Sequence, residues 1–300
     1  MPTILITGGS GLIGSALTKA LIARGHSVRH LSRTPGKRNG VEAFAWNVPQ
    51  RTIDASSLEG VDHIVHLAGE NIIAKRWTPE RLRICEESRT ESARLVLRTA
   101  REVGMRPQSF VSASGVGYYG AITSDRIFTE EDPNATDTIG KLTRAWEDAV
   151  DEWGSVCRVV KLRTPIVLAG DGGALPRFMK LARWSVLAPL ASGRQWMPWV
   201  HIDDLVQAYV CSIADGRWHG AYNICPPDHR TNKDMMRHIA KAVGRPLFPI
   251  AVPGFALRIA LGEMSDLLTE GARVESRRLE QVGFRFSHGD LGPALRDLVR

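Results

Sequence analysis

The feature that most constrains this chain is a run of glycines at a junction. Gly8, Gly9, Gly11 and Gly14 follow the short apolar run Thr3–Ile6, and after them Leu12, Ile13, Ala16, Leu17, Ala20 and Leu21 keep one apolar face at helical spacing until Gly25. A strand that turns at once into a helix needs residues without Cβ atoms, and it leaves unpaired amides at the helix start. Those amides and the helix dipole suit a pyrophosphate, so Gly8, Ser10, Gly11, Leu12, Ile13 and Gly14 are candidate contacts for a dinucleotide. The spacing G-x-x-G-x-x-G departs by one residue from the common fingerprint, and a glycine turn without ligand is the competing reading.

The rest of the N-terminal half alternates β-branched runs with helical stretches, the pattern of parallel βαβ units. Strands are expected at Ser27–Leu31, His63–Leu67, Ser109–Ser112 and Val156–Leu162. One helix is expected from Thr78 as N-cap and Pro79 to about Gly104, and another over Lys141–Trp153. After Gly170 the texture becomes glycine-rich, then WVHIDDLVQAYVCSIA reads as a strand entering a helix. The expected fold is therefore α/β: a Rossmann-like, doubly wound parallel sheet with a smaller, discontinuous C-terminal lobe. Residues 1–168 and 196–226 would form the sheet domain, and 169–195 and 227–300 the lobe.

Composition narrows the alternatives. With 43% apolar and 24% charged residues in 300, the chain is globular rather than disordered or fibrous. Cys85, Cys157, Cys211 and Cys225 lie far apart and make no metal-binding spacing, so reduced thiols and no metal are expected. No signal-peptide core and no apolar run of membrane-spanning length is seen, which points to a cytoplasmic protein. The net charge of +7 favours an anionic partner, but no nucleic-acid module accompanies it, and a solvated basic surface is the plainer explanation.

The end of the second strand addresses the cofactor. An NAD-specific fold places an acid there for the ribose hydroxyls, about 20 residues beyond the glycines. This chain has Ser32 and Arg33 instead, a hydroxyl and a guanidinium suited to a 2′-phosphate, which points to NADP; an ordinary exposed arginine is the alternative.

Taken in order, TGGSGLIG, HLAG (66–69), VSASGVGYYG (111–120), TEED (129–132) and WVHIDDL (199–205) resemble the extended short-chain dehydrogenase/reductase superfamily, in its epimerase/dehydratase branch. HLAGENI, GGALPRF, GRQWMPWVHIDDL and the late LGEM and GFRF are similar to an atypical, poorly characterised epimerase-family subgroup with its own C-terminal domain. The resemblance implies that Leu67, Ala68 and Gly69 lie against the adenosine and pyrophosphate, and that Asn47 lies near the adenine. It also implies that Thr164, Pro165 and Ile166 flank the nicotinamide, with Ser112, Ala113 and Ser114 closing the floor. Glu70 and Arg89 would approach the nicotinamide or phosphate region.

The superfamily's hydride chemistry uses a Ser and a Tyr with a Lys four residues after it. The ammonium beside the phenol, whose unperturbed pKa is about 10, stabilises phenolate. Here the Tyr and Lys places fall on Ile139 and Thr143, counted from Glu147, and Arg89 stands where the superfamily has an Asn. Ser114 keeps the serine place, with a loop serine bonding its own backbone as the alternative; Tyr118 and Tyr119 are candidate phenols, with packing as theirs. Arg194, Gln195, Trp196 and Trp199 resemble a substrate loop, with packing of the lobe as the alternative, and His201, Asp203 and Asp204 read as anchors of a strand and helix rather than metal ligands.

Two functions follow. One is an NADP-dependent oxidoreductase or epimerase acting on a small carbonyl or sugar-like substrate without the usual dyad. The other is a non-catalytic NADP(H)-binding sensor or regulatory protein.

Overall fold

The computed structural model describes residues 1–38 and 40–299. In chain order the first half runs β1 (Thr3–Thr7), α1 (Leu12–Ala23), β2 (Ser27–Ser32), β3 (Gly36–Arg38), β4 (Val41–Asn47), β5 (Thr52–Ile53), β6 (His63–His66), α2 (Pro79–Glu102) and β7 (Ser109–Gly115). It continues through β8 (Ile127–Phe128) and α3 (Thr138–Asp151) to β9 (Arg158–Thr164). The second half runs β10 (Ile166–Leu168), α4 (Leu175–Arg183), β11 (Trp199–His201), α5 (Ile202–Ala214), β12 (Gly220–Asn223) and α6 (Asn232–Ala242). It ends with α7 (Gly254–Leu261), α8 (Asp266–Thr269), β13 (Arg273–Val274), α9 (Arg277–Gln281) and α10 (Leu291–Leu298).

The main sheet has the order β12-β9-β7-β6-β1-β2-β4, every neighbour parallel, with the short β3 antiparallel on the outer edge of β4. Winding reverses between β1 and β6, where Thr7 pairs with His66, and a doubly wound sheet opens its binding crevice beyond the carboxyl ends at such a point. The central strands are apolar without alternation, as burial on both faces requires: Ile4, Leu5, Ile6, Ile64, Val65, Phe110 and Val111 are fully buried. One face packs on α1 and α5 through Leu17, Leu21, Leu205 and Tyr209; the other packs on α2 and α3 through Val96, Leu97 and Val150, and on Trp153 in the turn that follows α3. A separate core joins α4, α6 and α10 through Leu175, Met179, Met236, Ile239 and Leu295.

Among the boundaries that differ from the sequence reading, three bear on the site. The sixth parallel strand begins at Arg158 rather than Val156, because the Val156 and Cys157 amides both donate to the Trp153 carbonyl in a turn. The preceding helix starts at Thr138 rather than Lys141, because the Asp137 carboxylate accepts from the Gly140 amide at 2.8 Å and caps it. Strand β7 runs to Gly115, so Ser114 is a strand residue paired with Arg163, not a loop residue. The helix opening with Thr78 and Pro79 has the expected cap, Thr78 accepting from the Arg81 amide.

Candidate active site

The glycine turn is built so tightly that side chains have no room. Gly8 has φ +71°, and a methyl group there would lie 2.8 Å from the Leu67 carbonyl of the neighbouring strand end. A methyl group at Gly14 would lie 2.4 Å from the Gly8 oxygen, so the first turn of α1 can press against the loop only with glycine at that position. Gly11 sits at the N-cap of α1 with no side chain capping the helix, and the first turn carries no acid. The exposed Ser10 and Gly11 and the half-buried Leu12 and Ile13 thus surround helix amides without side-chain partners, the arrangement that binds an anion.

A buried hydrogen-bond chain sets the opposite lip. Thr7 Oγ1 accepts from the Leu67 and Ala68 amides, both at 3.1 Å, so its own proton goes to His66 Nδ1, 2.9 Å away. His66 Nε2–H then faces Ser92 Oγ at 3.2 Å, and Ser92 donates to the Ser88 carbonyl at 2.6 Å. Burial pushes His66 down to about 4, so the ring is neutral at pH 7 and keeps this direction of donation. Beneath the turn, His30 lies against Gly9 and contacts Thr18 Oγ1 at 2.9 Å; burial lowers its pKa as well. Thr7, His30, His66 and Ser92 were not among the sequence candidates. A threonine directly before the glycines and a histidine ending the paired strand were the available signals.

Arg33 extends from the end of β2 with 88% of its side chain exposed, and Glu70 Oε1 is 4.0 Å away. So exposed and distant a pair leaves the guanidinium available to a phosphate. The Glu70 carboxylate also meets Arg81 at 3.3 Å. Ser32 Oγ accepts from the Thr34 amide. Arg89 lies flat under Gly69, donating to the Cys85 carbonyl at 2.7 Å and the Glu70 carbonyl at 3.0 Å, with its guanidinium 5.0 Å from the Trp146 ring; burial lowers its pKa. Asn47 ends β4 and is bonded to Gln50 through both amide atoms, in a turn at the rim.

The wall beside this crevice has a different character. On α3, Ile139 and Thr143 both approach Gly117, so the two positions share the face where a Tyr and its Lys would stand. Ile139 has no polar atom in its side chain, and Thr143 Oγ1 donates back to the Ile139 carbonyl. One turn further, buried Glu147 accepts from Ser114 Oγ at 2.6 Å and from Arg163 at 2.8 and 2.9 Å. Burial alone would raise the Glu147 carboxyl, but these bonds and nearby Lys161 hold it below the usual carboxylate range.

Arg163 also donates to the Tyr119 hydroxyl at 2.8 Å and lies 3.5 Å over the Tyr118 ring. The Tyr119 hydroxyl is 2.8 Å from both the Thr129 carbonyl and Asn223 Oδ1, and burial drives its pKa above the usual phenol range despite Arg163. Ser114, Tyr118 and Tyr119 are therefore brought together around one guanidinium, each at least nine-tenths buried. Ser112 is buried and donates to the Ala113 carbonyl. Pro165 and Ile166 follow β9 at the same end of the sheet, with Pro165 buried and Ile166 half-buried.

The remaining candidates tie loop and terminal segments together through hydrogen bonds to the backbone. Gln195 bonds the Leu190 and Leu268 carbonyls, Trp196 Nε1 bonds the Ser124 carbonyl, and Trp199 Nε1 bonds the Asp228 carbonyl. Arg194 is exposed. His201 caps α5 by accepting from the Asp203 amide, and Asp204 accepts from the Ser287 and His288 amides, tying the C-terminal segment to the sheet.

A parallel sheet in this order, with a glycine turn at its reversal point and a β7–α3 wall beside it, has the fold of the epimerase-type short-chain dehydrogenases/reductases. Residues 4–225 match the model of the NAD dependent epimerase/dehydratase family, and the chain belongs to that family. Residues 252–298 match a domain of unknown function, DUF1731. The chain is 35% identical over 295 residues to the epimerase family protein ML0860 of Mycobacterium leprae, covering 97% of this chain and 94% of that protein. It is 32% identical over 301 residues to the epimerase family protein SDR39U1 of Homo sapiens, covering 99% of each. The crystal structure of that human protein, described as containing NADPH, superposes with TM-score 0.89 at 32% identity over 99% of each chain. A nucleoside-diphosphate sugar epimerase from Corynebacterium glutamicum superposes with TM-score 0.81 at 29% identity, covering all of this chain and 58% of its own.

Proposed function

We propose that this protein binds NADP(H) at the carboxyl ends of β1, β2 and β6 and serves as an oxidoreductase or epimerase on a small carbonyl or sugar-like substrate, without the usual tyrosine–lysine pair. The observation that carries the reading is the crevice itself: a turn with no room for side chains at Gly8 and Gly14, an uncapped helix start, and an exposed Arg33, only loosely paired with Glu70, where an NAD-specific site has an acid. The residues fit the nucleotide. In this reading Gly8, Ser10, Gly11, Leu12, Ile13 and Gly14 hold the pyrophosphate, and Ser32 and Arg33 hold the 2′-phosphate. Leu67, Ala68, Gly69 and Asn47 border the adenosine, Glu70, Arg89 and Ser112 frame the inner end, and Pro165 and Ile166 face the nicotinamide.

When bound, the nicotinamide supplies or accepts hydride at its C4. Ser114 donates to Glu147, which fixes the hydroxyl and leaves its lone pairs to receive a hydrogen bond from a substrate hydroxyl. Residues 169–195 and 227–300 cover the substrate side. Absorbance at 340 nm over a panel of aldehydes, ketones and nucleotide sugars tests this: oxidation of NADPH with at least one class is expected, and tight NADPH binding with no turnover across the panel overturns catalysis.

That outcome belongs to the second reading, a cofactor-dependent regulatory protein. Its specific support is Ile139, a side chain without a proton to exchange in the phenol's place, beside Tyr119 held in buried hydrogen bonds. Pull-downs with NADP+, NADPH and no nucleotide test it: partners that depend on the nucleotide are expected, and identical partners in all three count against it.

A further inference from the structure

The positive surplus of the chain is concentrated on one lobe. From the start of α4 to Arg194 and from the start of α6 to the end of α7, nine Lys and Arg stand against one acid, Asp234, a surplus of eight where the whole chain carries +7. All nine are exposed. Arg237 pairs with Asp234 and Arg258 with Asp266; among the described residues the other seven, including Lys180, Arg183, Lys241 and Arg245, have no carboxylate within ion-pair reach.

The same lobe exposes large apolar side chains. Trp184 is 67% exposed, Ile250 70%, Phe255 72% and Ile259 74%, with Val186 and Phe248 also exposed. Their neighbourhood follows from the backbone: the Phe248 amide donates to the Leu187 carbonyl at 2.8 Å, the Ala191 amide to the Val252 carbonyl at 2.9 Å, and the Val252 amide to the Pro189 carbonyl at 2.9 Å. Trp184–Val186 and Phe248–Ile250 therefore share an edge, and Lys180 Nζ lies 5.2 Å from the Trp184 ring centroid. Helix α7 begins beside Ala191, a Cβ on Gly254 lying 3.4 Å from that residue's Cβ. None of its eight residues is buried, and Phe255 and Ile259, four apart, share one face. Ala256, Leu257 and Leu261 are half-buried, so the helix rests one side on the protein and turns Phe255 and Ile259 into solvent, an exposed apolar face of the kind that marks an interaction site.

We propose that this lobe docks on an anionic phospholipid surface, with Trp184, Ile250, Phe255 and Ile259 entering the headgroup boundary and the surrounding Lys and Arg meeting the phosphates. Among the described residues no helix is long and apolar enough to cross a membrane, so the attachment is peripheral. Charge complementarity selects this occupant. A second copy seated face to face would set like charge against like. A nucleic acid would find Ile and Val, which offer bases no stacking face, between the aromatics.

Sedimentation of the full chain with vesicles tests the proposal. Binding is expected to vesicles of phosphatidylcholine mixed with phosphatidylglycerol, weakening at high salt, and not to phosphatidylcholine alone. The combined variant Trp184→Ser, Ile250→Ser, Phe255→Ser, Ile259→Ser and the variant Lys180→Glu, Arg183→Glu, Lys241→Glu are each expected to lose at least about tenfold in affinity. Circular dichroism melts matching the wild type show that both variants remain folded. No binding to the mixed vesicles, or equal binding to neutral ones, overturns the proposal. So does a dimer that the serine substitutions dissociate without changing vesicle binding, or retention of an RNA oligomer in preference to the mixed vesicles.

Discussion

The turn between β1 and α1 and the wall between β7 and α3 lie at the same end of one sheet, yet the chain treats them differently. At the turn the requirements fall on the backbone: Gly8 must take a left-handed conformation and Gly14 must let α1 close on it, and the glycines are in place. At the wall the requirements fall on side chains: Ile139 and Thr143 stand where the family resemblance implies a phenol and an ammonium, and Ser114 is tied to a buried Glu147–Arg163 pair. Under the proposed function, the contrast separates nucleotide binding from proton transfer: the first would rest on the backbone of the turn, the second on a few side chains that can change without disturbing it.

The separation can be broken at either region. Glu147→Gln leaves the Arg163 charge buried without its carboxylate, and a loss of about 3–5 kcal/mol in unfolding free energy is expected in denaturant titration. If NADPH affinity in the folded variant collapses as well, wall and turn are not independent. The lip responds to acid. His66 is neutral in the folded chain down to about 4, whereas the unfolded chain takes up its proton near 6.5. Its contribution is therefore constant above pH 6.5 and is lost as pH falls towards 4, about 3 kcal/mol in all; His66→Gln should flatten that part of the stability–pH curve.

Substitutions within the turn should be graded by the space each has. Gly14→Ala sets a methyl group 2.4 Å from a backbone oxygen, and a loss of at least about 100-fold in NADPH affinity is expected by fluorescence titration. Gly11→Ala meets its nearest atom at 3.3 Å and should lose less than about tenfold. Equal losses would mean that the methyl clash is not what the glycines avoid.

The glycine turn and five of the seven parallel strands were legible because they repeat simple periods and because the glycine requirement is local, whereas β4 and β12 were not among the expected strands. The tyrosine and lysine places fall on Ile139 and Thr143 only through the resemblance, counted from Glu147; what the structure adds is that both side chains lie beside Gly117. The side-chain wiring was not legible. Glu147 meets Arg163 from a strand 16 residues away, Tyr119 meets Asn223 across 104 residues, and Thr7 meets His66 across 59, and no spacing rule encodes such pairs. Asn47 illustrates the same limit: the resemblance implies a place near an adenine, and the structure shows the last residue of β4 bonded twice to Gln50 in a local turn. The basic surplus was visible as a number, and only the packing of the 184–191 and 248–254 segments shows it bordering exposed Trp, Ile and Phe side chains.

The central claim, an intact site for a phosphorylated dinucleotide beside a wall without the dyad, is tested most directly by titrating NADPH and NADH into the wild type and Arg33→Ala. The account predicts that NADPH binds the wild type at least about tenfold more tightly than NADH, and that Arg33→Ala removes this preference by weakening NADPH alone. Equal affinity for the two nucleotides in the wild type, or a preference unchanged in Arg33→Ala, would contradict it.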